Sequence, residues 1–186
     1  MEENFELASI VCEIDISTGN NVTAPVVSRR SSHPHRIAEG SHIFKKDDWY
    51  YLTTAEGGTT GDHHQCIFRS KNPLGPFEEP PAGVNPIIHN IHHPRVIQTG
   101  HADFFNGPDG SWWVVFLALR PQSNGHSQLG RETFLAAVDW DDGWPMVNGG
   151  KSIDLNVPIR GLPHKVTRAV WEANFSPGRY THPGSS

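Results

Sequence analysis

Glu39 is the residue best placed to do chemistry. It stands in Ala38-Glu-Gly-Ser-His, at the mouth of a short strand-forming run, where a carboxyl on a shelf of small residues can hand a proton to a departing oxygen. Cleavage of a sugar linkage is the reaction such a donor suits. A second carboxyl, Glu56 in Ala-Glu-Gly-Gly-Thr, lies in the same region. It is either the acid itself or a hydrogen-bonding group of the site wall, where Gly57 and Gly58 let the backbone come close. Further on, His101 is a lone histidine inside a strand, which by itself reads as a satisfied polar group. Arg131 either pairs with its neighbour Glu132 or points its donors at hydroxyls.

These residues need strands to hold them. Ser41 to Phe44, Trp49 to Ala55 and Gln65 to Arg69 read as strands, with Lys45 to Asp48 as a tight turn. Asn72-Pro-Leu-Gly-Pro-Phe is a turn-rich exit. An echo begins at Gly100: Ala102 to Phe105, Trp112 to Leu119 and Thr133 to Trp140 read as strands, with a long loop from Arg120 to Gly130. Gly40 and Gly100 are 60 positions apart, and Trp49 and Trp112 are 63 apart, a period that suits propeller blades. Leu7 to Ile16 is a further strand, residues 20 to 37 read as a polar connection, and residues 79 to 99 read as a crossing between blades. No amphipathic helix of three turns is visible, so the expected class is all-β. After Asn156 the pattern gives way to turn formers, and residues 157 to 186 read as a loosely ordered tail.

With 186 residues the chain is long enough for one domain with a core, and six Trp with nine Phe suggest aromatic strand faces. Tyr50-Tyr51 and Trp112-Trp113 lie mid-strand, which suits blade core better than stacking on sugars. A net charge of -5 with no basic run points away from nucleic acid and anionic membranes. No apolar run approaches the ~20 residues that span a bilayer. Cys12 and Cys66 lack metal-type spacing and read as buried free thiols. The twelve histidines include the pairs His33/His35, His63/His64 and His92/His93. Adjacent residues of a strand point to opposite faces, and none of these pairs shows acidic or thiolate partners at the spacing of a dedicated metal site.

Four phrases, in order, carry a resemblance: Ala38-Glu-Gly-Ser-His, Tyr50-Tyr-Leu-Thr-Thr-Ala-Glu-Gly-Gly-Thr, Gly100-His-Ala-Asp-Phe, and Leu129-Gly-Arg-Glu-Thr followed by Asp142-Gly-Trp-Pro. Over about residues 5 to 155 the chain resembles the five-bladed propeller enzymes of glycoside hydrolase family 43, in the β-xylosidase and α-L-arabinofuranosidase branch. The resemblance implies a partial propeller of about two and a half blades, with Glu39 as general acid and His101 and Arg131 in the substrate pocket. It also implies a xylo- or arabino-oligosaccharide as partner and no organic cofactor; a structural calcium near the propeller axis is the one metal it allows. The family is frequently secreted, and the acidic start Met1-Glu2-Glu3 shows no export signal.

Two departures stand out. Ser41 replaces the proline usual after the acid's glycine, which removes backbone stiffness beside Glu39. The N-terminal phrase with the family's base aspartate, and the aspartate that tunes the acid, have no counterpart, so the resemblance implies a chain that starts within the third blade. Such a chain is expected to be inactive or nearly so. The alternatives are a carbohydrate-binding remnant without catalysis and an incomplete gene product without activity.

Overall fold

The computed structural model describes residues 5 to 59 and 61 to 156. These form three antiparallel sheets in chain order, and no α-helix occurs among the described residues. The first sheet has two strands, β1 (Ser9–Val11) and β2 (Val26–Arg29). The second has three: β3 (Ala38–Lys46), β4 (Trp49–Glu56) and β5 (His64–Ser70). The third has four: β6 (Ile97–Asn106), β7 (Trp112–Leu119), β8 (Arg131–Asp141) and β9 (Trp144–Val147). Sequential up-and-down strands in successive sheets make a partial β-propeller. The expected tail, from residue 157 on, lies outside the described residues.

Strand β4 organises the fold because it is buried on both faces. Side chains alternate along a strand, so Tyr51, Thr53 and Ala55 face one neighbour while Leu52, Thr54 and Glu56 face the other. Tyr51 joins Phe44 and Trp144 in an aromatic seam against the third sheet, where Phe44 stacks on Phe104 with ring centres 5.1 Å apart. Trp112 and Trp140 complete that seam. Fully burying one such ring is worth about 1.5 to 3 kcal/mol. Tyr51 and Trp113 are thus core residues.

Two strands escape the sequence pattern. β2 lies inside the stretch read as a polar connection; of its four residues only Val26 and Val27 are apolar, and pairing with β1 makes it a strand. β9 carries Trp144-Pro145, beyond the last strand expected from the sequence, yet pairs with β8 from Val138 to Asp141. The crossing expected at residues 79 to 99 ends earlier, because β6 already begins at Ile97; from 79 to 96 it holds no named strand. It instead covers the edge of β5: the Asn85 amide donates to the Ile67 carbonyl and accepts from its N–H, both at 2.9 Å. Ile87 and Ile88 bond to the Gln65 backbone. Pairing an edge in this way blunts it against association.

Candidate active site

The Glu39 region is built from two bulges that face each other. β3 slips register between Glu39 and His42, and β6 slips between Gly100 and Asp103. Each bulge holds one residue in the left-handed region, Gly40 at φ 54° and His101 at φ 55°. The conformational counterpart of Gly40 is therefore His101, one place beyond the Gly100 that the sequence repeat aligns with it. A bulge re-aims the side chains beside it, and a non-glycine held at positive φ is a strained arrangement that clusters at functional sites.

The two bulges touch. A Cβ on Gly40 would meet the His101 ring at 2.7 Å, so only a glycine lets the ring lie against the backbone beside Glu39. His42 and Asp103 face each other across the same gap, with Nδ1 and Oδ1 3.6 Å apart. On the other side, the backbone around Glu39 is tied to the first sheet. The Ser9 hydroxyl donates to the Ala38 carbonyl at 3.1 Å and accepts from the Ser41 hydroxyl. The residue that stands in place of proline thus has its own anchor.

His63 is the member that sequence reasoning passed over. Its ring is buried beneath Gly100, where a Cβ would approach it at 2.8 Å, and its Nδ1–H donates to the Gln98 carbonyl at 3.0 Å. Burial pushes its pKa below the ordinary imidazole value; the Gln98 bond opposes this, Arg131 and His101 push it further down, and Glu39 pulls it up. His63 therefore lies within the electrostatic reach of Glu39, His101 and Arg131 together. The signal available in the sequence was position: His63 precedes β5 at the same end of the sheet as Glu39, since Glu39 pairs with Ala55 and Ala55 with Gln65.

Arg131 opens β8, exposed, while Glu132 is engaged by Arg120 at 2.7 Å, so the adjacent Arg131–Glu132 pair does not form. Glu56 is placed elsewhere. It lies on the opposite face of β4, 2% exposed, accepting from Arg29 at 2.9 Å, from Thr54 at 3.0 Å and from Ser31. The structure thus gathers Glu39, His101, His63 and Arg131 and leaves Glu56 in the seam between the first and second sheets.

Three buried polar atoms on the Glu39 side, Thr53 Oγ1, Thr99 Oγ1 and Gln65 Nε2, have no protein partner among the described residues. Gln65 uses its other end to accept from the Ala102 N–H at 3.0 Å. Calcium takes about six to eight oxygen ligands. Around His101 the Glu39 and Asp103 carboxylates and two threonine hydroxyls are oxygen donors, so a calcium held there would take its remaining ligands from water.

The sequence model described as "Glycosyl hydrolases family 43" matches residues 10–145. A non-reducing end α-L-arabinofuranosidase of Bacteroides ovatus is 51% identical over 131 residues, covering 69% of this chain and 24% of its own length. A β-xylosidase of Bacillus subtilis is 35% identical over 147 residues, covering 73% of this chain and 27% of its own. Among solved structures, a family 43 protein from Bacillus licheniformis superposes with a TM-score of 0.73 at 31% identity over 85% of this chain and 32% of that one. A xylan β-1,4-xylosidase from Bacillus halodurans gives 0.74 at 29% identity, over 84% and 30%. The chain spans about a quarter of the length of these curated relatives. Its three sheets are a part of a five-bladed propeller.

Proposed function

The chain belongs to family 43 of the glycosyl hydrolases, and on that premise we propose that it carries the acid half of an inverting glycosidase site for β-xylosides or α-L-arabinosides. The observation that supports this reading is the contact of the two bulges, which sets the His101 ring against the backbone next to Glu39. Glu39 gives its proton to the leaving glycosidic oxygen. The His101 ring and the Arg131 guanidinium donate hydrogen bonds to sugar hydroxyls, which fixes the ring while the bond breaks. His63 supports His101 and Gly100 from beneath. Glu56 serves through position, holding the end of β4 rather than touching sugar.

Inversion needs a second carboxylate about 6.5 to 9.5 Å from the first to activate water on the opposite face of the sugar. The family's base phrase does not occur in these 186 residues. One positioned acid or base contributes about a hundredfold to ten-thousandfold in rate. These residues alone therefore bind sugar without useful turnover.

Assay of nitrophenol release from aryl β-xyloside and aryl α-L-arabinofuranoside tests the reading, together with calorimetric titration of xylotriose and arabinotriose. Background release with measurable binding of one sugar, weakened at least tenfold by Arg131→Ala, is the expected result. Turnover that Glu39→Gln abolishes would mean that a complete site lies within this chain. Absence of binding to both sugars would remove the pocket reading altogether.

A further inference from the structure

On the face of β4 and β5 turned away from Glu39, strand pairing gathers donors that are scattered in sequence. Glu56 ends β4 opposite His64, and Cys66 follows two places along β5 on the same face. One ligand atom from each of these three lies within 4.8 Å of the others. His33, from the connection before β3, has its ring centre 5.4 Å from that of His64 and lines the same cleft.

We propose that this cleft is a zinc site, with the Glu56 carboxylate, the His64 imidazole and the Cys66 thiolate as ligands and His33 in reach of the fourth position. Zinc is the metal that a mixed oxygen, nitrogen and sulfur set of four suits, since soft thiolate and borderline imidazole select against calcium and magnesium. The ligands are already oriented. The His64 Nδ1–H donates to the Asp62 carbonyl at 2.5 Å, which leaves the lone pair of the neutral ring on Nε2. Arg29 and Thr54 occupy Oε1 of Glu56 and Ser31 occupies Oε2, so the carboxylate is held in one orientation with lone-pair capacity left on Oε2. Cys66 Sγ makes no hydrogen bond among the described residues.

On binding, the ion takes the place of the thiol proton: Cys66–SH and Zn²⁺ give Cys66–S–Zn and one proton released to solvent. The charges then match. Arg29 contacts both Glu56 and Glu79, and these two carboxylates with the new thiolate offset the guanidinium and the divalent ion.

The test uses the full chain, freed of metal with a chelator and titrated with Co²⁺ as the optical probe, then with Zn²⁺. Stoichiometric uptake with a thiolate-to-cobalt charge-transfer band, bleached by Zn²⁺, is expected. Cys66→Ser should remove the band, His64→Ala should weaken cobalt binding by about tenfold or more, and Cys12→Ser should change neither. Zn²⁺ should raise the melting temperature of the parent chain but not of His64→Ala, whose fold is checked by circular dichroism. No cobalt uptake by the parent chain, uptake without the band, or a band that survives Cys66→Ser or disappears with Cys12→Ser would each overturn the site.

Discussion

The two seams of the second sheet differ in kind although the same strand supplies both. Toward the third sheet, β4 sends Tyr51 into a cluster with Phe44, Trp140 and Trp144. Toward the first sheet it sends Thr54 and Glu56 into a network with Arg29 and Ser31, with Arg29 also lying 4.0 Å over the Phe68 ring. The aromatic seam draws on non-directional burial and tolerates small shifts. The ionic seam draws on a buried pair whose worth depends on both partners being present. Glu39 pairs with Ala55, on the Tyr51 face of β4, so its strand leans on the more tolerant of the two seams.

Glu56→Ala is the sharpest way to break the contrast. It leaves a half-buried Arg29 without its inner partner, and a loss of about 3 to 5 kcal/mol by chemical denaturation is expected. Gly40→Ala strikes the aromatic side near the acid. The new Cβ meets the His101 ring at 2.7 Å and sits at φ 54°, so about 1 to 3 kcal/mol should be lost, along with sugar binding by calorimetry.

Tyr51→Phe removes the bond from the phenol to the Gly143 carbonyl at 2.5 Å and keeps the ring. A loss of about 1 kcal/mol, unchanged between pH 6 and 8, is expected on thermal melting. The smallest effect concerns His63. Its folded-state pKa is held down chiefly by burial. The unfolded chain takes up this proton first, near ~6.5, so stability falls as pH drops through that value and levels off below the folded-state pKa. The denaturation midpoint should decline between pH 7.5 and 5.5, and His63→Asn should flatten that slope.

How much of this is legible in the sequence depends on which partner a residue needs. β7 carries its own signal, Trp112 to Leu119, because an apolar run opened by two tryptophans and continued by valines and a phenylalanine is a strand wherever it is placed. The turn expected at Lys45 to Asp48 is equally local, though β3 runs on to Lys46 and leaves Asp47-Asp48 as the turn, with Asp47 at positive φ. β2 and β9 are not local; each is a strand only because β1 or β8 lies beside it. The same holds at the sites. Glu39, His101 and Arg131 stand out through family phrases, while His63 belongs with them through Gly100, 37 residues away by number, a contact no local pattern encodes. Glu56 shares a phrase with the site, yet alternation along β4 turns it to Arg29. The repeat also misaligns by one residue, because bulges shift the strand without marking it in composition.

The Ser9 hydroxyl is bonded on both sides of Glu39, to Ala38 and to Ser41. The Glu39 carboxyl is thereby steered from β1, a strand of a different sheet. Transplanting residues 38 to 42 onto another scaffold would carry over the acid and lose its bearing, unless a hydroxyl travelled with it.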